Sequence, residues 1–173
     1  MSAAQWILNL ALLGWVLTRN LGTRAVTPAT FGVPALVVAA VAATSLRDLP
    51  TLGSDVALEL AGLAVGAALG VAAAGLTRVH RADGRLVVTA GKGFALLWVG
   101  VVGGRVAFAE WATHTGARAV GEFSARHQIT GADAWTAAFV LMAVAMVVVR
   151  YGATALVVGA RARRTAAVSG SPA

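Results

Sequence analysis

Three ionisable residues stand inside apolar blocks of the chain: Glu59, Arg105 and Arg150. A lone charge in a bilayer costs roughly 3 kcal/mol on insertion scales, so such residues pair, line a wet cavity, or move protons and ions. Glu59 follows Asp55 by four residues and Arg105 precedes Ala109 by four. Both therefore lie about 6 Å inside the same end of their apolar blocks. The expected arrangement is an intramembrane ion pair between Glu59 and Arg105. As chemistry, the pair would belong to a proton or ion path. As structure, Glu59 suits the positive end of a helix dipole and Arg105 reaches outward to the headgroups. Arg150 anchors the inner interface, or lies deeper if its helix is shifted.

The remaining chemistry-bearing residues form no constellation. His80 lies in a basic segment, and His114 and His127 in a polar one. His114, Glu122 and His127 could meet on a folded loop and, with Glu110, hold a metal, but their spacing fits no metal motif; the expectation is solvated surface and no metal. Ser124 near His127 lacks an orienting acid and an oxyanion hole. Arg78, Arg81 and Arg85 suit a lipid headgroup or phosphate, while Gly91 to Gly93, reading GKG, lacks the spacing of a nucleotide loop. No cysteine is present, which excludes disulfides, thiolate metal sites and cysteine-attached haem. No catalytic residue and no cofactor is expected.

These residues must be positioned by membrane helices. Of 173 residues, 58% are hydrophobic and 12% charged, with a mean hydropathy of +0.79. A soluble domain carries about 25% charged residues. Five blocks approach the roughly 20 apolar residues a crossing needs: 3–18, 30–46, 56–76, 93–109 and 134–155. The first is framed by Trp6 and Trp15 and contains Gln5 and Asn9. It has no basic residue ahead of it and no cleavage site close behind, so it is expected to be retained. Ser54 or Asp55 is expected to cap the third span. Between the third and fourth, Asp83 and Gly84 read as the turn of a small basic hairpin outside the bilayer. Between the fourth and fifth, Val120, Phe123 and His127 recur at helical spacing, as in an interfacial helix. Residues 161–173 read as a flexible tail.

The net charge of +7, from 14 basic and 7 acidic residues, becomes an orientation signal once distributed. Arg19, Arg24, Arg78, Arg81, Arg85, Lys92, Arg161, Arg163 and Arg164 fall on one side of a five-span chain; Arg47, Arg118 and Arg126 fall on the other. Nine against three puts the N-terminus outside and the C-terminus in the cytoplasm. Anionic lipid, rather than nucleic acid, is the expected counterpart of these charges.

Gly62, Gly66 and Gly70, continued by Ala74, recur every four residues on the third span, and Gly100 and Gly104 repeat the spacing on the fourth. Small residues at this interval let helix backbones approach in lipid, where packing drives association. Glu59 lies about 20° from Gly66 and Gly70 in helical projection, on the packing side.

GLAVGAALG from Gly62, LTRVHRADGRLVV from Leu76 and GKGFALLWVGVVGGRVAF ending at Phe108 together resemble the CcdC-like family of small bacterial membrane proteins. LTRNLGTRAVTP, ending at Pro28, adds to the likeness, and GADAWTAAFVLMAVAMVVVR, ending at Arg150, looks actinobacterial. Arg78, Asp83, Gly84 and Arg105 match the family's look. The family name implies a link to cytochrome c biogenesis but carries no catalytic residue across, and a chain without cysteine cannot itself relay thiols.

The resulting expectation is an all-α, five-span helical bundle of the bacterial plasma membrane with a basic hairpin between spans three and four. Its expected role is a non-enzymatic accessory or assembly component, packed through glycine faces against a membrane partner or a second copy. The alternative is a small transporter or channel using Glu59 and Arg105.

Overall fold

Lipid offers no hydrogen bonds to a backbone, so a long apolar run in a bilayer satisfies its amides by coiling. The computed structural model describes residues 14, 22–25, 27, 30, 32, 34–36, 38–40, 54–82 and 85–169. Within these, strand β1 covers Gly22–Ala25 and helix α1 covers Asp55–Gly75; strands β2, Thr77–Ala82, and β3, Arg85–Ala90, follow. Helix α2 is Lys92–Thr113, α3 is Ala117–Arg126 and α4 is Ala132–Ser169. Among the described residues, three segments are long and apolar enough to cross a membrane: α1, α2, and Ala132–Arg161 of α4. At 21 and 22 residues, α1 and α2 extend about 32 and 33 Å, close to the thickness of a hydrocarbon core. The 30 residues of the α4 segment reach about 45 Å, so it tilts or projects.

The third, fourth and fifth expected spans correspond to α1, α2 and α4. Described positions between 30 and 40, within the second, are helical. The first span lies outside the described residues except for Gly14, as do the Asp83–Gly84 turn and residues 170–173.

Two features differ from the sequence reading. The hairpin is part of a three-stranded antiparallel sheet of order β1-β3-β2, with Thr23 opposite Thr89 and Val79 opposite Val88. The fold is thus helical with a small sheet rather than all-α. A two-stranded hairpin would leave the outer edge of β3 unpaired, and four residues from the first loop satisfy it. The chain beyond Ala160 is also helical through Ser169 rather than a flexible tail from 161. Its Ala- and Arg-rich sequence propagates a helix already nucleated.

The α1 and α4 helices pack along each other through the glycine row. A Cβ added at Gly62 or Gly66 would collide with the carbonyl of Ala138 or Met142, and one at Gly70 would stand 2.7 Å from the Met146 carbonyl oxygen. A buried cluster of Ala73, Ala90, Phe94 and Met146 joins α1, β3, α2 and α4 at the sheet end, with Leu69, Leu97, Trp98 and Val101 packed against it.

Candidate functional site

At the end of the bundle away from the sheet, Asp55 opens α1 and is fully buried. Its carboxylate accepts hydrogen bonds from the Thr130 amide at 2.9 Å and the Thr130 hydroxyl at 2.5 Å. Ser54 makes no side-chain cap, and its amide donates to the Gln128 carbonyl. The expected cap is therefore a clasp: Asp55 ties the start of α1 to the turn leading into α4. Gln128 and Gly131 have positive φ, 53° and 126°, which lets the chain reverse here. Sequence reasoning did not pair Asp55 with Thr130; the available signal was a buried-type acid at one helix start and a Thr-Gly pair just before another.

One turn further in, Glu59 is 7% exposed and its Oε1 is buried without a hydrogen-bond partner among the described residues. Arg105 is exposed on α2, its guanidinium 5.8 Å from the centroid of the Phe139 ring. The structure does not bring the two together in an ion pair. Spending the glycine row of α1 on α4 gives Glu59 a different neighbour from the one that matching depth implied.

Arg150 is the third intramembrane charge. It is 7% exposed, with its guanidinium 4.1 Å from the Phe94 centroid and 4.9 Å from that of Tyr151. Its backbone amide is 3.2 Å from a Cβ built at Gly70, five residues before the end of α1. Arg150 is thus about 7 to 8 Å inside that end of the span. A desolvated cation–π contact is worth about 2 kcal/mol, comparable to the roughly 3 kcal/mol cost of a charge in the bilayer.

The glycines of α2 behave differently from those of α1. Among the described residues, a Cβ added at Gly100, Gly103 or Gly104 meets nothing within 4 Å. Leu96, one turn before Gly100, is 72% exposed. The end of α2 away from the sheet meets α4 through Phe108, whose ring centroid is 5.3 Å from those of both Trp135 and Phe139.

On the linker beyond α2, the suggested metal-ligating residues have separate engagements. His114 Nδ1 lies 2.9 Å from the Glu110 carbonyl oxygen and 3.5 Å from Glu110 Oε1. Glu122 accepts from Arg118 at 2.8 Å and has Arg126 at 3.9 Å. His127 stacks on Phe123 at 4.1 Å, and Ser124 accepts a hydrogen bond from Trp135 Nε1. Among the described residues, no three His, Asp or Glu side chains converge.

At the sheet end, a cavity of about 820 Å³ opens between α1, β2 and α4, lined by Arg78, His80 and Arg161 among others. Arg161 donates to the Val79 carbonyl, tying α4 to the sheet. The side chains of Arg81 and Arg85 lie outside those described.

The sequence profile of the CcdC protein family matches residues 5–162. No curated protein and no solved structure matches the chain.

Proposed function

The chain belongs to the CcdC family, and from that premise we propose that it is a non-enzymatic accessory or assembly component of the bacterial plasma membrane. In this reading it crosses the membrane five times, with the N-terminus outside and the C-terminus in the cytoplasm. Pairing of β1 with β3 and the Arg161 contact to Val79 gather the first loop, the hairpin and the end of α4 at one end. The Asp55–Thr130 clasp holds the ends of the second and fourth connections together at the other. That separation supports five crossings, and the nine-to-three distribution of basic residues supports a cytoplasmic sheet.

The observation that carries the assembly role is the contrast between the two glycine rows. Gly62, Gly66 and Gly70 pack against α4, whereas among the described residues Gly100 and Gly104 have nothing within 4 Å of an added Cβ and lie beside exposed Leu96. A second membrane helix, from a partner or another copy, fits that face through close backbone packing. The test is purification from native membranes in mild detergent, comparing the unaltered chain with Gly100→Leu/Gly104→Leu. A companion or second copy retained by the first and lost from the second supports the role; identical recovery contradicts it.

The unpartnered Oε1 of buried Glu59 favours a second reading, an ion or proton transporter. Flux in reconstituted vesicles that disappears with Glu59→Gln would establish it in place of the assembly role.

A further inference from the structure

We infer that Glu59 is the binding site of a monovalent cation, a proton or a sodium ion, held on its carboxyl at the end of the bundle away from the sheet. Glu59 is 7% exposed, and its Oε1 is buried without a hydrogen-bond partner among the described residues. A carboxylate removed from water and left unpaired is so costly that it takes up a positive charge instead of standing ionised.

The neighbouring acid shows which carboxyl takes it. Asp55 precedes Glu59 by one helical turn, which sets their Cβ atoms about 5–6 Å apart. Both Asp55 oxygens accept hydrogen bonds from Thr130, the hydroxyl one at 2.5 Å, the length of an O–H donated to an ionised oxygen. Asp55 also occupies the first turn of α1, where the helix dipole favours a negative charge, an effect that fades beyond that turn. Asp55 therefore keeps its charge. Glu59, one turn on, has neither support and a like charge beside it, and like charges at this spacing repel.

The elements packed around Glu59 do not supply the missing charge. On α4, Ala138 packs against Gly62, and Ala134, one turn earlier, is fully buried; their methyl groups donate nothing. Asp133 on α4, Arg105 on α2, and Arg126 and His127 at the end of α3 are exposed. Arg105 lies by Phe139, Arg126 by Glu122, and His127 on Phe123. A proton satisfies the orphaned oxygen alone, whereas a sodium ion also needs further oxygens, and those of Asp55 and Thr130 are one turn away. Occupancy does not require that the cation cross the membrane, so the site goes beyond both functional readings.

The test labels the full chain in mild detergent with dicyclohexylcarbodiimide, which reacts with protonated carboxyls. The acid proton passes to a carbodiimide nitrogen as the carboxyl oxygen bonds to the central carbon, and the adduct rearranges to a stable N-acylurea. Peptide mass spectrometry locates the label at neutral pH, with potassium as the added cation and then with sodium. Labelling of Glu59 at least tenfold above that of exposed Asp133, lowered at alkaline pH and indifferent to sodium, identifies a proton. Labelling in potassium that sodium suppresses at least fivefold identifies a sodium ion. Thermal unfolding of Glu59→Gln supplies a measurement that does not depend on access of the reagent. At neutral pH its Tm should equal that of the unaltered chain if a proton is held, and it should lose a sodium-dependent rise in Tm if sodium is held. Labelling of Glu59 no greater than that of Asp133 in both salts, with a Tm that Glu59→Gln lowers and sodium does not change, overturns the site. Labelling without flux in vesicles removes the transport reading alone.

Discussion

Gly66 and Met142 face each other so closely that a Cβ on Gly66 would overlap the Met142 carbonyl. A backbone carbonyl in a helix cannot swing aside as a side chain can. Gly66→Ala should therefore force α1 away from α4 and cost about 1–3 kcal/mol of stability, whereas Gly100→Ala, with no contact among the described residues, should stay within about 0.5 kcal/mol. Reversible unfolding of both variants in mild detergent checks the contrast. Equal losses would mean that the two glycine rows are not differently employed.

Much of this arrangement was legible in the sequence. The four-residue glycine interval marked α1 as a packing helix, and the length of the apolar runs located α1, α2 and the start of α4 to within about a turn, while α4 runs on past the expected end at 155 to Ser169. The partner of α1 was not legible. Glu59 and Arg105 lie at equal depth, but depth says nothing about which helices are neighbours, and the glycine row turned out to face α4. Strand β1 escaped notice because four residues carry too little periodicity to be read without the edge they complete. The clasp of Asp55 by Thr130 spans 75 positions, so the acid at one helix start and the Thr-Gly pair before the other did not identify each other as partners.

That clasp predicts a measurable coupling. Asp55→Ala and Thr130→Val should each destabilise the chain, and the double variant should lose less than the sum by about 1.5–3 kcal/mol, the scale of a hydrogen bond to a charged group. Strict additivity in a double-mutant cycle would show that the carboxylate is satisfied elsewhere.

For Glu59 and Arg105 the opposite result is expected. With Arg105 exposed above Phe139 and Glu59 buried beside α4, Glu59→Gln and Arg105→Gln should add to within about 0.5 kcal/mol. A larger interaction energy in detergent unfolding would restore the ion pair between α1 and α2.

Arg150 and Phe94 offer a positive counterpart. Their 4.1 Å separation predicts that Arg150→Met and Phe94→Leu couple by about 1–2 kcal/mol. Stability that falls by the same amount with Arg150→Met whether or not Phe94 is present would remove the cation–π contact from the account.

The sheet can be tested without a structure, because the chain contains no cysteine. Thr23→Cys/Thr89→Cys places the only two thiols at partnered positions of β1 and β3. A short bis-maleimide should join them within one chain in intact membranes, and a protease cut between the strands should leave the fragments linked. Efficient labelling of each single variant with no link in the double variant would contradict the pairing.

The most direct test of the assembly role asks what touches the open face of α2 in the native membrane. Gly100→Cys, carrying a photoreactive maleimide as the sole modification, should give a discrete higher-mass protein adduct on illumination, while Leu156→Cys, on an exposed position of α4, should not. Lipid adducts alone at both positions would mean that no helix packs against Gly100, and the proposed assembly role would fall.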